Sequence, residues 1–204
     1  MTKPKPKPED LRKACVEEAL AIIGESGLEH LSLREVARRL HVSHQAPYKH
    51  FRSRDHILAE VVSRAYADFA DHLDRRPRSA DPNEDMANMG KAYLEYAQHH
   101  PLHYRLMFET PLPNPAEHPE MMRRAEHAFS LLREAIARLP GRPPAAPVDL
   151  DALFVWSVMH GLAGILRGDA LGGLGIPAPI LESAVPFALW RIGMALGQGA
   201  GKQP

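Results

Sequence analysis

The sequence predicts an all-α protein in two parts: an N-terminal three-helix helix-turn-helix domain and a larger C-terminal helical domain. Three observations carry this. Apolar residues recur at helical spacing along nearly the whole chain, broken by proline-rich stretches rather than by β-type alternation. The segment Leu31–Arg54 holds Arg34, Arg38, Arg39, Lys49, Arg52 and Arg54 against Glu35 alone, a net +5 in a chain of 25 basic and 25 acidic residues. Residues 148–200 carry little charge, with Arg167 and Arg191 their only basic side chains.

Taken in order, MTKPKPKPED reads as a flexible basic arm, because no apolar core follows it as a signal peptide would require. Helix one runs from about Glu9 to Ser26, with Leu11, Cys15, Ala19, Ile22 and Ile23 on its inner stripe and Gly27 as C-cap. Ser32 precedes Leu33, Val36, Ala37 and Leu40 at i, i+3, i+4, i+7 spacing, and Glu35 three residues on completes a capping box. His41-Val42-Ser43 breaks that helix. Ser43 caps a short polar helix from about His44 to Phe51.

A short polar helix behind a basic, half-buried one suits the DNA major groove. Gln45 can pair with adenine and Ala46 can touch a thymine methyl, with Arg34 and His44 beside them as further candidates for reading bases. Ser32, Tyr48, Lys49, His50 and Arg54 suit phosphates, Arg54 from the first turn of a third helix capped by Ser53. The structural alternative is a solvated basic face on an adaptor that binds no DNA.

That third helix shows Ile57, Leu58, Val61, Val62, Ala65 and Phe69 up to about Leu73. Arg75 to Asp85 reads as a linker. The expected division is therefore a DNA-binding domain over 1–54, a connecting helix and linker over 55–80, and a second domain over 81–204. Asp81-Pro82 starts a helix to His99, Pro101 to Glu109 forms a short one, and four prolines between Pro111 and Pro119 force a loop. Glu120 to Leu139 is helical, and PGRPPAAP ends it.

Two apolar helices follow, Val148 to about Leu171 and about Ala178 to Leu196, the second kinked at Pro186. Both are apolar on more than one side, and Gly161, Ala163 and Gly164 allow close approach. They are expected to form a four-helix bundle with a second copy, giving a homodimer through 148–200.

The run V-S-x-x-x-x-Y-x-H-F-x-S-[KR] at Val42 to Arg54, behind L-[ST]-x-R-x-[VI]-A at Leu31 to Ala37, resembles the TetR family of bacterial transcription regulators. Where the family usually has leucine before the tyrosine, this chain has Pro47, so the reading helix starts near Gln45 or Ala46. Trp156-x-x-x-His160-Gly161 resembles the C-terminal signature of the WHG-type subgroup. The resemblance implies about nine helices, dimerisation through the last two, and a C-terminal half that binds a small-molecule effector. It thus implies a cytoplasmic repressor released from a palindromic double-stranded operator.

Effector contacts are sought among methionines and aromatics, which adapt to apolar ligands. Met86, Met89, Tyr93 and Tyr96 lie on one helix, Met107 and Phe108 on the next. Phe129, Trp156, Met159 and His160 lie further on. No catalytic residue, cofactor or metal is expected. The chain lacks H-E-x-x-H, a phosphate-binding glycine loop and G-x-S-x-G, and Pro101 interrupts the helical register between His99 and His103. No run of about 18 uncharged apolar residues is present, so no membrane span is expected. The single Cys15 fits a reducing compartment and a buried position rather than a redox sensor.

Overall fold

The computed structural model describes residues 10–141, 147–168, 171 and 173–198. The N-terminal arm up to Glu9 and the core of the PGRPPAAP stretch lie outside them. Among the described residues there are eight α-helices and no strand. They are α1 (Leu11–Ser26), α2 (Leu33–Arg39), α3 (Arg54–Asp74), α4 (Pro82–His99), α5 (Pro101–Phe108), α6 (Pro119–Ala137), α7 (Val148–Arg167) and α8 (Ala178–Gly193).

The helices form two compact units. One takes Met1–Asp68 with Leu102–Glu126, the other Phe69–Pro101 with His127–Pro204. The Arg75–Asp85 linker lies inside the second unit, and α3 contributes to both.

In the first unit, α1 buries Cys15, Ala19, Ile22 and Ile23. Gly27, at φ 95°, ends it and donates its N–H to the Ile23 carbonyl at 3.0 Å. Burial pushes the Cys15 thiol up to about 11, so the thiolate that redox chemistry needs is scarce. Tyr66 on α3 donates its hydroxyl to the Met107 carbonyl at 3.0 Å and meets Phe108 edge-on; burial raises this phenol to about 12.

The second unit packs α4 against α7 and α8. Asp81 caps α4 by accepting the Asn83 N–H at 2.9 Å, and Pro82 fills the first position, where a missing N–H costs nothing. Phe69, Tyr93 and Tyr96 form an aromatic core, with ring centroids 5.6 Å and 5.0 Å from Phe69. The buried Asp85 accepts hydrogen bonds from Arg76 at 2.9 Å and Arg138 at 2.8 Å. Burial opposes ionisation of this carboxyl. The Arg76 hydrogen bond and the charges of Arg76, Arg138 and Arg78 override that, so its pKa lies below the usual carboxylate range.

Helix α8 runs through Pro186 without ending, and non-helical backbone comes at Gly197, φ 114°, inside a wider turn over Met194–Gln198. Helices α7 and α8 leave Leu150, Leu153, Phe154, Ile180 and Phe187 exposed, Leu150 at 63% and Phe187 at 55%. By length and composition alone, Val148–Arg167 and Ala178–Gly197 are each apolar enough to cross a bilayer. Neither is an uncharged run, because Asp149 and Asp151 interrupt the first and Glu182 the second, which is why the sequence alone predicts no span there.

Candidate nucleic-acid interface and effector cavity

Helix α2 is placed by its ends. Ser32 accepts the Glu35 N–H on its hydroxyl at 3.1 Å. At the other end Val42 donates to the Ala37 carbonyl at 3.1 Å and His41 to the Arg38 carbonyl at 3.2 Å, the paired bonds of a Schellman turn. Such a turn needs a left-handed residue after the cap, and His41 takes φ 52° where glycine is the usual occupant.

The capping box closes on one side only. The Glu35 carboxylate does not return to the Ser32 N–H. It accepts from Arg38 at 2.6 Å and Arg39 at 3.1 Å. The Arg38 and Arg39 hydrogen bonds hold this carboxyl down at about 2. Arg39 also reaches Glu25 at 2.6 Å and Glu18 at 3.6 Å on α1. Arg38 and Arg39, two of the six cations in the segment, are thus paired with carboxylates of the protein itself, and Arg54 makes a third that is engaged internally. Glu18 and Glu25, seven apart on one face of α1, were the available sequence signal for the Arg39 pairing.

The helix expected from His44 to Phe51 is absent. The segment is a turn followed by a single 3₁₀ turn over Pro47–Lys49. The reason is Pro47. It has no N–H to give the Ser43 carbonyl, so that carbonyl takes the Ala46 N–H at 2.9 Å instead. Lys49 then bonds Ala46 and His50 bonds Pro47, again three residues back. Pro47 and Phe51 face the core, and Tyr48 faces out at 45% exposure.

Arg34, His44, Gln45 and Tyr48 line one surface depression of about 420 Å³. Ser32, Lys49 and His50 are exposed, and Ala46 is half-buried. Arg54 is differently engaged: its guanidinium donates to the carbonyls of Leu31 at 3.1 Å and Leu28 at 2.8 Å. It ties the start of α3 to the α1–α2 connection, a role invisible in the sequence.

The ten side chains sought as effector contacts fall in both units. Met107 and Phe108 belong to the first unit, the other eight to the second. There, Met86 and Met159 line a cavity of about 390 Å³. Tyr96 and the buried Met89 are core, and Phe129 packs against Trp156 with centroids 6.1 Å apart. The Tyr93 hydroxyl and His160 Nδ1 are 3.3 Å apart. The cavity's remaining wall comes largely from α8, through Val185, Leu189 and Trp190, which the sequence reading missed. Among the described residues no group of three or more His, Cys, Asp or Glu is placed to hold a metal ion.

Residues 16–61 match the family model described as bacterial regulatory proteins, tetR family, and residues 86–185 match the tetracyclin repressor-like C-terminal domain. The HTH-type transcriptional regulator Rv1816 of Mycobacterium tuberculosis is 33% identical over 90 residues, 43% of this chain and 38% of that protein. The chain thus spans 38% of the length of the curated relatives it matches. A protein of unknown function from Rhodococcus sp. RHA1 superposes with TM-score 0.73 at 24% identity, over 92% of this chain and 96% of that one. The TetR family transcriptional regulator PfmR from Thermus thermophilus gives 0.61 at 22% identity, over 92% and 99%. At these identities the two structures speak to the fold.

Proposed function

The chain belongs to the tetR family of bacterial regulatory proteins, and from that premise we propose that it is a sequence-specific, DNA-binding transcriptional repressor without enzymatic activity, acting in the cytoplasm. The observation that carries this is the exposed depression shared by Arg34, His44, Gln45 and Tyr48. These side chains offer a planar cation, two hydrogen-bonding groups and a hydroxyl on one face, the mixture that base edges and phosphates require. Gln45 and His44 read bases with Arg34 and Ala46. Tyr48, Lys49, His50 and Ser32 hold phosphates. Arg54 acts indirectly, by fixing the start of α3.

Two copies pair through α7 and α8, whose exposed Leu150, Leu153, Phe154, Ile180 and Phe187 a second copy would cover. A two-fold dimer presents two reading heads, so the operator is palindromic. A small molecule bound in the C-terminal half releases the operator by favouring a dimer geometry whose heads no longer match the groove spacing. It must therefore bind the two geometries unequally.

The test is operator affinity as a function of salt. A logarithmic plot should fall steeply, with a slope of about −0.9 per phosphate neutralised. Tyr48→Ala should weaken all sequences alike, whereas Gln45→Ala should relax discrimination at one or two base positions by about 1–3 kcal/mol each. A salt-independent affinity, or both variants binding as tightly as the parent, contradicts the reading.

A further inference from the structure

The 390 Å³ cavity and a second depression of about 330 Å³ lie on adjacent strips of α4 in the second unit. The first is lined from α4 by Met86, Ala87, Gly90 and Lys91, the second by Asn88, Lys91, Ala92 and Glu95. At about 100° per residue, Lys91 falls between the two strips. It is the one side chain on α4 that lines both.

Their chemistry differs sharply. The larger cavity is walled by aliphatic side chains and Trp190. Among the described residues that line it, Lys91 is the only charged one and Asn83 the only side-chain amide. The neighbouring notch gathers His72, Arg75, Arg76 and Lys91 with Glu95, its Arg76 already paired with the buried Asp85 and its Arg75 lying 3.9 Å from Asp71. Arg76 is almost wholly buried there, and its Nε has no hydrogen-bond partner; nor does the buried His72 Nε2. With Arg76 held by Asp85, Lys91 and the exposed Arg75 are the side chains there that an anion can meet, through charge-assisted hydrogen bonds.

We propose that this face of α4 binds an amphipathic anion. An apolar chain lies in the cavity against Met86, Met159 and Trp190, and a carboxylate or phosphate head is held at Lys91 beside the Arg75–Arg76 notch. The inference deepens the effector reading above and rests on it for its biological role. It also places the charged head at the chain segment that joins the end of α3 to α4.

The experiment titrates the full-length protein with decanoate, decyl phosphate and decan-1-ol, following tryptophan fluorescence, because Trp190 lines the cavity. Both anions share the apolar chain with the alcohol, so the affinity ratio isolates the head group. At least one anion should bind roughly 5–10-fold more tightly than the alcohol, and the stronger of the two identifies the head. Lys91→Met keeps an apolar stem at the rim and should erase that ratio while leaving alcohol binding unchanged. Ala87→Phe should weaken all three ligands by filling the cavity. Equal binding of alcohol and anions, a ratio that survives Lys91→Met, or no saturable binding of any probe overturns the proposal. Operator binding is measured separately without ligand. Its failure strikes the regulator reading and leaves these ratios to decide the ligand class.

Discussion

Glu35 and Asp85 are each gripped by more than one arginine, and they do opposite work. Glu35 sits on α2 at the surface of the first unit, with Arg38 and Arg39 one turn away. Asp85 is buried on α4 in the second unit, with Arg76 buried beside it and Arg138 reaching in from just beyond the end of α6. At the surface, water already solvates both partners, so the ion pairs contribute little to folding and mainly decide which cations remain free for an external polyanion. In the interior each charge has lost its water, so removing one partner strands the other. The same pairing chemistry is thus a regulator of outward charge in one place and a structural lock in the other.

The largest expected effect breaks the lock. Asp85→Ala should cost about 3–5 kcal/mol, since it leaves the buried Arg76 without its carboxylate. Denaturant unfolding measures this. A loss below about 1 kcal/mol, the range of exposed pairs, would erase the distinction between the two sites.

Acid should act on both sites with the same sign. Each carboxyl is held below its unfolded value, so its contribution is complete above the unfolded pKa and is lost as pH falls through the folded one. For Glu35 that window runs from 4.5 down to about 2. For Asp85 it begins at 3.8 and extends lower. Chemical denaturation at a series of pH values should therefore show stability falling below about pH 4.5, with part of that fall missing in Asp85→Ala. An unchanged acid limb in the variant would mean that Asp85 is not ionised in the fold.

A smaller change leaves both carboxylates alone. His41→Gly relieves the left-handed backbone after α2, the helix that carries the surface cluster, and should add about 0.5–1 kcal/mol. A destabilised variant would indicate that the imidazole makes a contact worth more than the strain.

The smallest effect on folding should come from Glu35→Gln, which barely moves the unfolding midpoint. Its consequence belongs to binding: with Arg38 released while Glu25 and Glu18 keep Arg39, affinity for duplex DNA should rise and the salt slope steepen by about 0.9 if that one cation reaches a phosphate. A large stability loss with unchanged DNA binding would invert the comparison.

How much was legible beforehand follows from range along the chain. Helix α4 reads correctly to both ends because Asp81, Pro82 and the break before Pro101 act within a few residues. The start of α2 at Leu33 is legible for the same reason. Pro47 is visible too, but its effect is larger than a delayed start. It delays a helix only when enough residues follow it, and here Phe51 closes the segment after four. What could not be read was partner choice across distance. The sequence does not say that Arg39 turns to Glu25, that Arg54 turns to the carbonyls of Leu28 and Leu31, or that α8 rather than α5 completes the cavity wall. Net charge counted along the segment therefore overstated the cationic surface, while the four residues of the depression kept their expected exposure.

The central claim is that this depression reads duplex DNA, with two copies acting together. The most direct measurement is selection of bound sequences from a random duplex pool by the full-length protein and by Gln45→Ala. The account expects a palindromic consensus from the parent, and from the variant the same spacing with one or two positions per half-site degenerate. No enriched sequence, an asymmetric one, or an identical consensus from both proteins would contradict it.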